Sequence, residues 1–211
     1  PISLASFGQA LQGFSDMITH AALAAEAQIE EAVSERRREV ETIALACRRI
    51  AHEPPRTFRE ALQLAWFMDL ATMVGEGVSL VVAGRLDRSL LPFYRGDVDA
   101  GRLSDAEALV LLECLYVLTN ELVPDGLAMS VMVGGTDAAG RDTTNPLSYL
   151  CLEALRRTRL VYPTVGVCWH DGTPAALTDL AVELMGLGIP NPAFFGDRSE
   201  EHTSELQSPN T

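Results

Sequence analysis

Two helical segments without a polar face constrain this chain most. The first runs Thr57-Phe-Arg-Glu-Ala-Leu-Gln-Leu-Ala-Trp-Phe-Met-Asp-Leu-Ala-Thr-Met-Val74, the second from Ser104 to about Leu118. Each opens on a capping box, Thr57-Phe-Arg-Glu60 and Ser104-Asp-Ala-Glu107. There the hydroxyl accepts a first-turn amide while the glutamate reaches back to another. Beyond the caps both segments are apolar on nearly every side, and such a helix must be buried within a larger body. The run Ala61 to Val74 is too short to span a bilayer and contains Asp69.

Around these helices the pattern is that of an α/β protein rich in helix. From about Ser15 to Ile50 apolar residues recur every three or four positions, the period of one long amphipathic helix that Pro54-Pro55 terminates. The run Arg36-Arg37-Arg38 on it reads as a solvated face. Asn145-Pro146 and Thr173-Pro174 pair an N-cap with a first-turn proline and predict helices over 146–157 and 174–186. Strands are expected at Thr164–His170, at Met129–Val133 running into Gly134-Gly135, and at Asn191–Phe195. Long buried helices between isolated strands suggest an α/β barrel or a layered sheet.

Charge and cysteine usage narrow the function classes. A formal charge of −13 argues against nucleic-acid binding and against docking to anionic lipid. No secretory leader is visible at Pro1-Ile2-Ser3-Leu4, and the chain does not begin with Met, as expected of a piece from within a longer reading frame. Cys47, Cys114, Cys151 and Cys168 have neither zinc-ligand nor redox spacing and read as small buried hydrophobes in a reducing cytoplasm.

Local motifs carry little chemistry. Gly135-Thr-Asp-Ala-Ala-Gly140 sits where a phosphate loop would, but Arg141 and Asp142 follow in place of Lys and Ser/Thr, so it reads as a polar turn. Asp137 and Asp142 lack the closing glutamate of a calcium loop. Cys151-Leu-Glu153 places a thiol near a carboxylate, yet its helical neighbours make it a core residue. His20, His52 and His170 form no metal-spaced set, and no nucleophile elbow is present. The stretch Arg198-Ser-Glu-Glu-His-Thr-Ser-Glu-Leu-Gln-Ser208 has no apolar period and matches a translated sequencing adapter. The expected organisation is therefore 1–197 as native sequence and 198–211 as a non-native tail.

What does carry information is a series of blocks in order. Arg56–Phe67 resembles the "TFREALQ…WF" helix of the glycyl radical enzymes of the pyruvate formate-lyase type. Gly84-Arg-Leu-Asp-Arg-Ser-Leu-Leu-Pro-Phe-Tyr94 is similar to their "GR(F/L)DQ…YPFY" block. Gly101-Arg-Leu-Ser-Asp-Ala-Glu-Ala108 with Leu112–Tyr116 resembles "GxLTxEEA…LLxCLW", and Gly134–Leu150 resembles "GGxxxxGxDATNELSYL". Pro163–Pro174 is similar to "P.L.VR.H..TP", and Gly188–Asp197 to "GxPAFFND".

This resemblance implies part of a ten-stranded barrel wrapped by helices, and a cytoplasmic, homodimeric parent of anaerobic metabolism, a lyase or acyltransferase. In that parent a glycyl radical, installed by an S-adenosylmethionine iron–sulfur activating enzyme, is passed to a cysteine whose thiyl cleaves or eliminates from a small-molecule substrate. The family's "GCxE" cysteine and "RVxGY" glycine match nothing in residues 1–197, so the resemblance assigns no catalytic residue, metal ligand or bound cofactor to this chain. Ser79, near the family's "SxSxGR" serines, and His170, on the strand block, are the substrate-binding candidates that it implies. The competing reading is a helical interaction module that uses the 15–50 helix as a partner arm.

Overall fold

The computed structural model describes residues 2–76, 81–122 and 129–196. Ser79 and the segment 197–211 lie outside them. The chain divides into two compact units, Pro1–Ala71 and Thr72–Thr211.

In the first unit the expected 15–50 helix is two helices, α1 (Ile2–Ile29) and α2 (Ser34–Ile50), folded back on each other. The break has a physical cause. Glu30 and Glu31 would place negative charge at the negative end of the helix dipole, and no basic residue in the last turn offsets it. Breaking there also lets one apolar stripe bury the other: Ile18 and Ala22 pack with Cys47, Ile50, Ala51 and Phe67, and Ala25 with Val40 and Ala44. Arg48 forks onto Glu26 at 2.7 and 2.6 Å across the pair. So exposed a pair contributes little energy and serves to fix register. The imagined partner arm is thus largely occupied by its own chain.

The third helix, α3 (Phe58–Glu76), starts on the expected box: the Glu60 amide donates to Thr57 Oγ1 at 3.2 Å, while Glu60 accepts from the Arg56 amide at 2.7 Å. Asp69 on α3 is buried, and loss of water pushes its carboxyl up to about 6.

The second unit runs β1 (Val81–Gly84), α4 (Leu86–Ser89), α5 (Leu91–Asp99), α6 (Asp105–Leu122), β2 (Met129–Gly134), α7 (Pro146–Thr158), β3 (Thr164–Trp169), α8 (Ala175–Met185) and β4 (Ala193–Gly196). All four strands are parallel, in the order β1-β2-β3-β4. Each strand is therefore added beside the last, as in a barrel wall. Val131, Val133, Val165 and Val167 share one face and are at most 1% exposed, and α4 and α7 pack on the sheet. Among the described residues no helix is long and apolar enough to cross a membrane.

Two expectations change in detail. Strand β1 and helix α4, of four residues each, and helix α5, of nine, were not expected, because segments so short carry little period. Thr173 does not cap α8; its hydroxyl accepts from the His170 amide at 2.9 Å, and Pro174 takes the cap position. Asn145 does cap α7, in a full box with Ser148.

Two measurable consequences follow from the fold. Asp69 is more easily protonated folded than unfolded, so its contribution to stability is present below about pH 4 and is lost as pH rises through about 6. Asp69→Asn should leave stability unchanged at pH 4 and raise it by about 2–3 kcal/mol at pH 8, read from urea transitions. At the end of the sheet, β4 leaves Phe194 and Phe195 38% and 40% exposed on a strand without a charged residue. Such an edge recruits other chains. The isolated chain should scatter light as its concentration rises, and Phe194→Lys should suppress the scattering.

Candidate functional site

In parallel α/β sheets, ligands bind at the carboxyl ends of the strands, where loops meet. Here those ends carry Arg85 after β1, Gly134-Gly135-Thr136 at β2 and His170 after β3.

The centre of this region is a buried carboxyl. Asp87, on α4, is 0% exposed. Its Oδ2 accepts from the Gly134 amide at 2.8 Å and from the Ser148 hydroxyl at 2.5 Å. Burial pushes its acid up, while the Ser148 and Gly134 hydrogen bonds pull it down. Ser148 in turn accepts from the Asn145 amide at 3.1 Å. One side chain therefore ties α4, the end of β2 and the first turn of α7.

The glycines at the end of β2 are required by this arrangement. Gly134 and Gly135 have φ of 72° and 78°, which disfavour any side chain. A Cβ on Gly135 would lie 2.1 Å from the Arg85 guanidinium and 2.8 Å from Cys168 Cβ. That space lets Arg85 Nη1 donate to the Gly134 carbonyl at 2.7 Å, and Arg88 donates to the Thr136 carbonyl at 3.2 Å. Thr143 Oγ1 lies 3.0 and 2.8 Å from the Gly134 and Gly135 carbonyls.

His170 closes the neighbouring turn. The Gly172 amide donates to Nδ1 at 3.1 Å, which puts the ring proton of the neutral imidazole on Nε2, and that nitrogen donates to Asp142 Oδ1 at 3.1 Å. The ring thus couples the loop after β2 to the turn after β3. Asp137 is consumed within its own loop, accepting from the Ala139 and Arg141 amides and the Arg141 side chain, which hold its carboxyl below the usual range. The Gly135–Gly140 segment is therefore a self-satisfied polar turn.

The sheet face opposite the fully buried valines is partly open. It carries Ser130, Met132, Thr164, Gly166, Cys168 and Phe195. Gly166 leaves room for its neighbours, since a Cβ there would meet the Met132 thioether and the Phe195 ring within 2.8 Å.

Cys151 lies in the core of α7 at 1% exposure, and its thiol is pushed far up by burial and then by the charge of Asp87. Burial also raises the Cys47 thiol. Neither is a poised nucleophile; Cys168 is buried as well, whereas Cys114, expected to be buried, is exposed on α6. Among the described residues no group of His, Cys, Asp and Glu could hold a metal ion. Sequence reasoning did not single out Arg85, Asp87 or Ser148, although each lies within a block that it quoted.

Asp87→Ala would strand the Gly134 amide and the Ser148 hydroxyl, each a loss of roughly 1–3 kcal/mol. It should lower the unfolding free energy by about 2–4 kcal/mol in urea, and Gly135→Ala by about 1–3 kcal/mol through backbone and guanidinium strain.

The comparisons agree with this framework. The family model described as "Pyruvate formate lyase-like" matches residues 3–205. An isethionate sulfite-lyase of Nitratidesulfovibrio vulgaris is 37% identical over 169 residues, covering 74% of this chain and 20% of that protein. A (2S)-3-sulfopropanediol dehydratase of Klebsiella oxytoca is 34% identical over 191 residues, covering 84% and 23%. A glycyl radical enzyme from Archaeoglobus fulgidus has the same fold, with a TM-score of 0.85 at 30% identity over 93% of this chain and 27% of that one. The chain spans only about a fifth to a quarter of these relatives. With six sequence blocks in register, a sequential parallel sheet and relatives of one kind, the chain belongs to the pyruvate formate lyase-like family of glycyl radical enzymes.

Proposed function

We propose that this chain is the framework portion of a radical lyase or dehydratase that eliminates from, or cleaves, a small hydroxylated substrate. The observation that carries the reading is the sequential parallel sheet whose carboxyl ends are knotted by Asp87, in a chain whose relatives include a sulfite-lyase and a sulfopropanediol dehydratase. A glycyl radical, installed by an S-adenosylmethionine iron–sulfur activating enzyme acting on a homodimeric cytoplasmic parent, supplies hydrogen abstraction through a cysteine thiyl. Both the radical glycine and the thiyl cysteine belong to the parent beyond these residues.

The residues of this chain position and enclose. The Gly134-Gly135 turn and the His170–Asp142 pair hold the carboxyl-end loops at fixed distance. His170, and Ser79 just before β1 in sequence, stand as the substrate contacts. The open sheet face, with Met132 and Phe195 closing over Gly166, offers an apolar wall that excludes water from a reactive intermediate.

Anaerobic incubation of the 211-residue chain with such an activating enzyme should give no organic-radical doublet by electron paramagnetic resonance, and the full-length parent should give one. A doublet from the chain alone would overturn the division of roles. In the activated parent, His170→Ala should reduce kcat/KM at least tenfold while the radical yield is unchanged. An unchanged kcat/KM would remove His170 from the site.

A further inference from the structure

The loops at the carboxyl ends of β2 and β3 are rich in hydrogen-bond acceptors, and most of these are engaged within the chain. The carbonyls of Gly134, Gly135 and Thr136 accept from Arg85, Thr143 and Arg88. The His170 carbonyl accepts from the Thr173 amide at 2.9 Å. Both oxygens of Asp137 are taken, Oδ1 by the Ala139 and Arg141 amides and Oδ2 by the Arg141 guanidinium. Asp87 Oδ1 has no donor, but it is sealed from any ligand.

Asp142 is different. The Thr144 amide at 3.2 Å, the Thr144 hydroxyl at 2.8 Å and His170 Nε2 at 3.1 Å all converge on its Oδ1. Among the described residues nothing donates to Oδ2. The Asp142 side chain keeps 28% of its surface, against 10% for His170. Donors crowded on one oxygen hold the carboxyl group still, so the other oxygen is oriented before anything binds it. His170 has the opposite character: with both nitrogens committed, its ring offers a ligand only carbon atoms. The polar contact at this point of the rim therefore falls to the carboxyl that His170 holds.

We propose that Asp142 Oδ2 accepts a hydrogen bond from a hydroxyl of the substrate, with His170 and Thr144 as its positioning residues. This rests on the reading of these strand ends as the site of a small hydroxylated substrate. A hydroxyl taken from water into a closed site must find an acceptor there. The place favours a ligand over a structural partner, because loops from two neighbouring parallel strands converge on Asp142 at their carboxyl ends. The contact holds the hydroxyl and transfers no proton. A negative charge at this position also orients the substrate, turning its hydroxyl towards the β2–β3 rim and any anionic group away from it.

The test uses the unactivated full-length parent and three probes: glycerol, 1,2-propanediol and 2-hydroxyethanesulfonate. Titration calorimetry reads the affinity of each probe and of its analogues lacking one hydroxyl. Asp142→Asn keeps a carbonyl oxygen for His170 and Thr144 but puts an amide donor where Oδ2 was. It should weaken a binding probe by about tenfold or more, as expected when a hydrogen bond to a charged group is lost. At least one deoxy analogue should bind the variant and the unaltered parent alike, and the urea transition should stay in place. Thr144→Val, which removes one donor from Oδ1, should weaken the same probe by a smaller factor. Equal weakening of the probe and all its analogues would show that Oδ2 serves the fold or another segment of the parent, and would overturn the proposal. Unchanged affinity for a binding probe would overturn it and leave the substrate reading standing. Failure of all three probes to bind the unaltered parent would overturn the substrate reading and this proposal together.

Discussion

A carboxyl group taken wholly out of water must find donors, and the second unit supplies them to one oxygen of Asp87. Its Oδ2 takes the Gly134 amide, which a strand end would otherwise leave without a partner, and the Ser148 hydroxyl from the first turn of α7. The same turn presents the Gly134 carbonyl to Arg85, two residues before Asp87. A single short segment, Gly84-Arg-Leu-Asp87, thereby satisfies both the backbone donor and the backbone acceptor of one residue, Gly134, at the end of β2. The left-handed glycines follow from this, because the guanidinium occupies the space a side chain on Gly135 would need. The position of α7 follows as well, since its N-terminal box contains Ser148. Loss of the carboxyl would release three elements at once.

How far the sequence could be read depended on the range of the interaction. Boxes at Thr57 and Ser104 and the Asn145 cap are local, made over two to four residues, and were legible from spacing alone. Strands β2 and β3 were legible from β-branched runs bounded by turns. The break at Glu30-Glu31 was not, because an unbroken apolar period outweighed a dipole effect of a few tenths of a kcal/mol, and the gain from folding α1 onto α2 is tertiary. Thr173 has an N-cap's identity but a different partner, since the turn after β3 brings the His170 amide to it first. The Asp87–Ser148 hydrogen bond joins residues 61 apart. Both lie in family blocks, yet nothing in one block names its partner in the other. Of the two substrate candidates, only His170 falls among the described residues, with both ring nitrogens bonded within the chain.

The two helices that are apolar on nearly every side, α3 and α6, are covered on one side only. Met68 and Val74 on α3 and Val110, Val117 and Leu118 on α6 remain 40–73% exposed. The aromatic residues of β4 and Leu4, Phe7 and Leu11 on α1 are exposed in the same way. Scattered apolar side chains at a surface are ordinary, but contiguous strips on helices and a strand edge signal surfaces meant to be covered. That pattern, in a chain spanning about a fifth to a quarter of its relatives, supports the proposal that these residues work within a larger body.

The same physics separates framework from chemistry. A radical or nucleophilic thiol must be reachable by its partner, and Cys47 and Cys151 are sealed in cores where burial raises both thiols. The carboxyl-end loops, by contrast, are held by hydrogen bonds that leave little freedom: Asp87 and Thr143 on the β2 turn, Gly172 and Asp142 on His170. A rigid set of strand ends, an open apolar face and these two inert thiols support the proposal that this chain positions and encloses. Under that proposal the reactive groups arrive on a separate loop, and the wall that receives them must not move. The peptide-level knot at Gly134 provides that immobility from within this chain.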